Sequence, residues 1–132
     1  MKFGNKNVSV KKYQIDWDRV VSKPQKKVKD FLFRYWKNKV ILEEFRMPGT
    51  RMRFDIVNLT DRVIIEVSPR KVHGEFNPFF HKTKQGYAKS IQRDMSKIEW
   101  AEQNNFIVVE VFDEDINVLS REWFREKYGV EL

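Results

Sequence analysis

Three acidic residues, Glu44, Asp55 and Glu66, are spaced eleven and eleven along the chain, with turn-forming residues midway at Gly49-Thr50 and Thr60-Asp61. Two-residue turns at those points place Glu44 opposite Asp55, and Asp55 opposite Glu66, in an antiparallel meander. Directly opposed residues have Cβ atoms about 4.5–5.5 Å apart and share a face, so the spacing predicts a row of three carboxylates. Negative charges that close repel one another. A divalent cation, Mg2+ or Mn2+, is the economical counter-charge, because it takes carboxylate oxygens and keeps positions open for water and phosphate. Ordinary ion pairing competes with this reading: Arg46, Arg51 and Arg53 lie on the same strands, Glu43 rivals Glu44, and a one-residue slip sends a carboxylate to the other face. Glu66 weighs toward a site, since it interrupts the apolar run Val63-Ile64-Ile65-Glu66-Val67, where an unpartnered acid is costly to desolvate.

Such residues need elements to position them. Ser22 with Gln25 resembles a capping box, Pro24 suits a first helical turn, and Val28, Phe31, Leu32, Tyr35 and Trp36 follow helical spacing, which predicts a helix over about 24–38. Three short apolar runs follow, Val40 to Arg46, Met52 to Asn58 and Arg62 to Ser68, separated by turn residues that make them a three-stranded meander. The stretch 69–86 has no clear period and reads as a long, functional loop. Tyr87, Ile91, Met95, Ile98 and Ala101 then mark a second helix, Phe106 to Phe112 a strand, and Leu119, Trp123, Phe124 and Tyr128 a closing helix. The expected class is α/β, in the order α-β-β-β-α-β-α, with a basic arm over 1–23 and one domain over 24–132. Val8, Val10, Tyr13, Ile15 and Trp17 alternate imperfectly and allow a strand or an extended arm.

The run Met52-Arg53-Phe54-Asp55-Ile56-Val57, with Arg62-Val63-Ile64-Ile65-Glu66-Val67-Ser68 after it, resembles the core of the PD-(D/E)xK nuclease superfamily, the restriction-endonuclease-like fold. More narrowly it is similar to the branch holding the very-short-patch repair endonucleases and the EDxHD homing endonucleases. Ile91-Gln92-Arg93-Asp94-Met95, leading to Asn105-Phe106-Ile107-Val108-Val109, is similar to that branch's Arg-Asp helix and following strand. The resemblance implies a metal-dependent DNA endonuclease in which Asp55 and Glu66 hold Mg2+ or Mn2+ and Glu44 is the leading glutamate, with His73 and Asp94 as further motif acids and bases. The lysine usual two residues after the third-strand acid is replaced by Ser68, and Lys71, His73 or Lys89 are the candidates to fill its role; His81 rivals His73. The residue types suit phosphodiester hydrolysis, with a histidine near neutral pKa able to relay a proton. Asp94 also has an ordinary reading as a local helix pair with Lys97.

Charge points to the same class of partner. The 132 residues carry +7, but residues 1–40 hold twelve Lys+Arg against three Asp+Glu, +9, which leaves −2 for the rest. Such a basic stretch suits a polyanion, because each neutralised phosphate releases counterions. Lys11, Lys12, Lys26, Lys27, Lys29, Arg70 and Lys71 are the expected phosphate contacts, with Tyr13, Trp17, Phe79 or Phe80 available to stack on an unpaired base. Lys26, Lys27 and Lys29 oppose the dipole at the start of the first helix, a cost that a phosphate or salt relieves. With no cysteine, a disulfide scaffold, a thiolate zinc site and a cysteine nucleophile are excluded. No apolar run approaches the ~20 residues of a membrane span, and there is no signal-peptide pattern, so the expectation is an intracellular protein, suited by its size to a phage or mobile element. Structure-guided, nicking or partner-directed cutting is expected, by a homodimer or a subunit of a larger DNA-processing complex. A non-catalytic nucleic-acid-binding module on the same fold is the competing reading.

Overall fold

In the computed structural model, which describes residues 2–3, 6–7, 9–47, 52–68 and 96–132, the first long helix, α1, runs Lys23–Trp36. The Ser22 hydroxyl accepts the Gln25 amide at 3.2 Å and caps it, and Pro24 stands in the first turn, where its missing N–H leaves no bond unmade. Val28, Leu32 and Trp36 form a buried stripe along one side. Gln25 and Lys29 lie on that same stripe and are equally buried, so two polar side chains occupy positions whose neighbours are core.

Strands β1 (Lys2–Phe3) and β2 (Lys6–Asn7) pair as a two-stranded antiparallel ribbon. The main sheet comprises β3 (Ile41–Arg46), β4 (Arg53–Asn58), β5 (Val63–Ser68) and β6 (Ile107–Phe112), in that spatial order. The first three are antiparallel; β6 runs parallel to β5. A parallel neighbour demands a crossover, and its described part is helix α2, over 96–103. Asn105 in the left-handed region (φ 63) turns α2 into β6, with the Phe106 amide donating to the Ala101 carbonyl at 2.8 Å. Helix α3, Arg121–Tyr128, is capped by Ser120 and ends at Gly129, whose φ of 67 suits a residue without Cβ. The fold class expected from the sequence, α/β with a meander plus one further strand flanked by helices, is the one observed.

The outer edge of β3 is covered by the N-terminal segment. After a short 3-10 turn at Lys11–Tyr13, Gln14 bridges Leu42 and the Ile15 amide donates to the Ile41 carbonyl at 3.0 Å. Each face of the sheet has its own core. Ile41, Ile56, Val63, Ile65, Val109 and Val111 pack with α1 and α3, whereas Leu42, Phe45, Phe54, Val57, Ile64 and Phe106 pack with Ala101 of α2. Truncating any of these large side chains to alanine would cost about 2–5 kcal/mol. The alternation along β3 and β4 is broken once in each strand. Leu42 and Phe45 share a core although their positions differ in parity, and Phe54 and Ile56 belong to opposite cores although theirs match. The breaks fall at Glu44 and Asp55.

Candidate active site

The registers place those two residues across from each other. Glu43 pairs with Ile56 and Phe45 with Phe54, so Glu44 faces Asp55; Ile56 pairs with Ile65, so the next step along faces Asp55 to Glu66. This is the pairing that the eleven-residue spacings predict. At Asp55 and Glu66 the carboxylates replace the backbone ladder. The Asp55 amide donates to Glu66 Oε2 at 3.0 Å, and the Val67 amide donates to Asp55 Oδ2 at 2.8 Å. Each acid thus lies between the strands and opens onto a cleft of about 270 Å3 whose walls include Phe54, Ser68, Lys97, Ile98 and Glu110.

Burial and the neighbouring Glu66 charge push the Asp55 carboxyl up from 3.8 to about 7, with Glu44 adding to the effect; the Val67 amide and the Lys97 ammonium pull the other way. Desolvation leads because a carboxylate set between two strands is only partly reached by water. Lys97 of α2 supplies the local cation. Its Nζ stands 2.6 Å from Glu66 Oε1 and 5.6 Å from the centre of the Phe54 ring.

The expected single-face row of three acids is corrected by the backbone of Glu44. Its φ is 52, a left-handed value inside a strand, which turns the carboxylate toward α1. There the Gln25 amide donates to Glu44 Oε1 at 3.3 Å, and the Arg53 guanidinium stands 3.6 Å from Oε2. Glu44 therefore acts on Asp55 by its charge while being held from the α1 side. Glu43, the rival considered from sequence, faces α1 as well. It is buried in an ion pair with Lys29 at 3.0 Å, and it accepts from Arg19 at 3.1 Å and from Gln25 at 3.0 Å.

The same pair corrects a second expectation. Lys29, expected as a phosphate contact, is wholly buried; beyond Glu43 its ammonium donates to the carbonyls of Asp16 at 2.6 Å and Arg19 at 2.8 Å. All three ammonium protons are thus used inside the protein. Its place on the Val28–Leu32–Trp36 stripe was the sequence signal that it is internal. Lys11, Lys12 and Lys27 are exposed, and Lys26 pairs with Asp30 one turn on. Arg70, Lys71, His73, His81, Lys89 and Asp94 lie outside the described residues.

Two residues of the cleft were missed. Lys97 was read only as a helix partner of Asp94, because the face that α2 turns to the sheet is not fixed by its period alone. Glu110 pairs with Glu66 across the parallel ladder, and its signal was legible: it interrupts Ile107-Val108-Val109-Glu110-Val111 as Glu66 interrupts β5. Among the described residues no group of three or more His, Asp or Glu side chains is arranged to hold a metal ion. The donor set that does exist, two carboxylates beside open space, fits a hard cation such as Mg2+, which commonly binds through one or two carboxylates and completes its shell with water and phosphate oxygens. Among the described residues no helix is long and apolar enough to cross a membrane. Comparison with family models, with curated proteins and with solved structures returns no match.

Proposed function

We propose that this chain is a divalent-metal-dependent DNA endonuclease built on a restriction-endonuclease-like core. One observation carries the reading: Asp55 and Glu66 leave the β4–β5 ladder side by side at a cleft, each already bonded to the partner strand's backbone, with a lysine at 2.6 Å. Two carboxylates kept close against their mutual repulsion attract a dication strongly, and Asp55, poised near 7, gives up its proton readily when one arrives. A bound Mg2+ would polarise the scissile phosphate and lower the pKa of a water. Ser68 stands where the resembled family has lysine, and Lys97 brings an ammonium to the cleft from α2 instead; its charge steadies the phosphate or the attacking water. Lys71, His73 and Asp94 retain the roles that the resemblance gives them, as partners of the water and of its proton.

The exposed Lys11, Lys12 and Lys27 supply the charge that holds a duplex backbone, an affinity that falls steeply with salt. Supercoiled plasmid and a labelled branched duplex, incubated with Mg2+, Mn2+ or EDTA, test the proposal. Cutting that needs metal and is lost in Asp55→Ala and Glu66→Ala supports it; binding of DNA without cutting on any substrate refutes it.

A second reading has its own observation. Lys97 already neutralises Glu66, as befits a nucleic-acid-binding module that keeps the fold without the reaction. Such a module would bind DNA and take up no Mn2+, which separates the two.

A further inference from the structure

Gln25 is 3% exposed on the core-facing stripe of α1, and its single amide nitrogen serves two consecutive strand residues, Glu43 Oε2 at 3.0 Å and Glu44 Oε1 at 3.3 Å. Neighbours on a strand project to opposite faces, so one donor reaches both only because Glu44 holds a φ of 52. The other end of the bracket is fixed. Glu43 is locked by Lys29, both side chains fully buried, and Lys29 is itself tied to the carbonyls of Asp16 and Arg19. A glutamine needed only to satisfy Glu43 would have no reason to meet Glu44, which also has the Arg53 guanidinium 3.6 Å away and largely exposed.

We infer that Gln25 is a positioning residue for the carboxylate cleft: its amide holds the Glu44 carboxylate on the α1 side of the strand position opposite Asp55, so that the charge of Glu44, acting from there, strengthens the attraction of the Asp55–Glu66 pair for a divalent cation. Gln25 touches neither the cation nor the substrate; it acts through Glu44. The inference rests on the nuclease reading and adds to it a residue on the opposite side of the sheet.

Its test is Mn2+ binding to the full chain by calorimetry, for wild type, Gln25→Met, Glu44→Gln and the double variant, with steady-state cleavage of plasmid alongside. Gln25→Met keeps the volume and removes the donor. Mn2+ affinity is expected to fall about tenfold, the low end for loss of a group that orients a ligand shell, with kcat lowered at fixed Mn2+ and KM for DNA unchanged. The double variant should bind Mn2+ no more weakly than Glu44→Gln alone, because residues that act in series are not additive. Should Gln25→Met fail to fold, Gln25→Asn withdraws the same amide by one methylene and is expected to show the same loss. Unaltered Mn2+ affinity in a folded Gln25 variant, or additive losses in the double variant, overturns the positioning role and leaves the nuclease reading standing. Wild type without Mn2+ affinity overturns both.

Discussion

The two faces of the sheet each bring a lysine to a glutamate, with opposite results. On the α1 side Lys29 and Glu43 are sealed, and both charges are satisfied: the ammonium donates to one carboxylate and two carbonyls, and the carboxylate accepts from Lys29, Arg19 and Gln25. On the α2 side Lys97 meets Glu66 at a cleft that Asp55 also lines. The first cluster is electrically closed and holds the N-terminal segment to the sheet. In the second, burial and then the neighbouring Glu66 charge push the Asp55 carboxyl up to about 7. Buried charges thus take two forms in one sheet, one sealed in a hydrogen-bonded ion pair and one holding a carboxyl toward its protonated form.

Removing each lysine should separate the clusters most sharply. Lys29→Met leaves Glu43 buried with only Arg19 and Gln25 to answer it, and urea denaturation should register a loss of about 3–5 kcal/mol, the usual cost of orphaning a buried charge. Lys97→Met, at a partly exposed pair, should cost about 1 kcal/mol or less. Equal costs would dissolve the distinction. The same Lys97 variant should raise the Asp55 carboxyl further above about 7, because it removes a charge that holds it down; a carboxyl-resolved NMR titration reads this.

Proton linkage gives the next effect. The Asp55 carboxyl lies above its ordinary 3.8, at about 7, so the fold favours the protonated acid. The stabilisation is complete below about pH 4 and is lost as pH rises through 7. Asp55→Asn cannot ionise and can still accept the Val67 amide. In chelator, its stability relative to wild type should therefore grow between pH 4 and pH 8 by on the order of 2–4 kcal/mol. A constant difference across that range would mean that the pair is not strained by charge.

The smallest effect lies outside both clusters. Lys26→Ala removes an exposed i,i+4 partner of Asp30 and should change stability by no more than about 0.5 kcal/mol. If Lys26 meets a phosphate, the slope of log K against log salt for duplex binding falls by about 1; an unchanged slope confines it to the helix surface.

Much of this architecture was legible because turns punctuate it. The spacing of turn-forming residues in the sequence predicts both registers, and with them the opposition of Glu44, Asp55 and Glu66, and the observed strand pairs agree. Side-chain direction was not legible at Glu44, since a non-glycine residue at φ 52 within a strand leaves no mark in composition or period. Lys29 was misread because lysines are counted as solvated by default, although its helical phase placed it in the core. Lys97 depends on which face α2 covers, a long-range fact, and for Glu110 only the parallel pairing with Glu66 was hidden, since its interruption of an apolar run is plain in the sequence.

The left-handed backbone at Glu44 carries a consequence for engineering. A residue with a Cβ gives up about 1–2 kcal/mol in that conformation, and glycine would relieve it. A screen for heat resistance would therefore be drawn to position 44 and would trade away the carboxylate there, and with it a charge that helps to raise the Asp55 carboxyl.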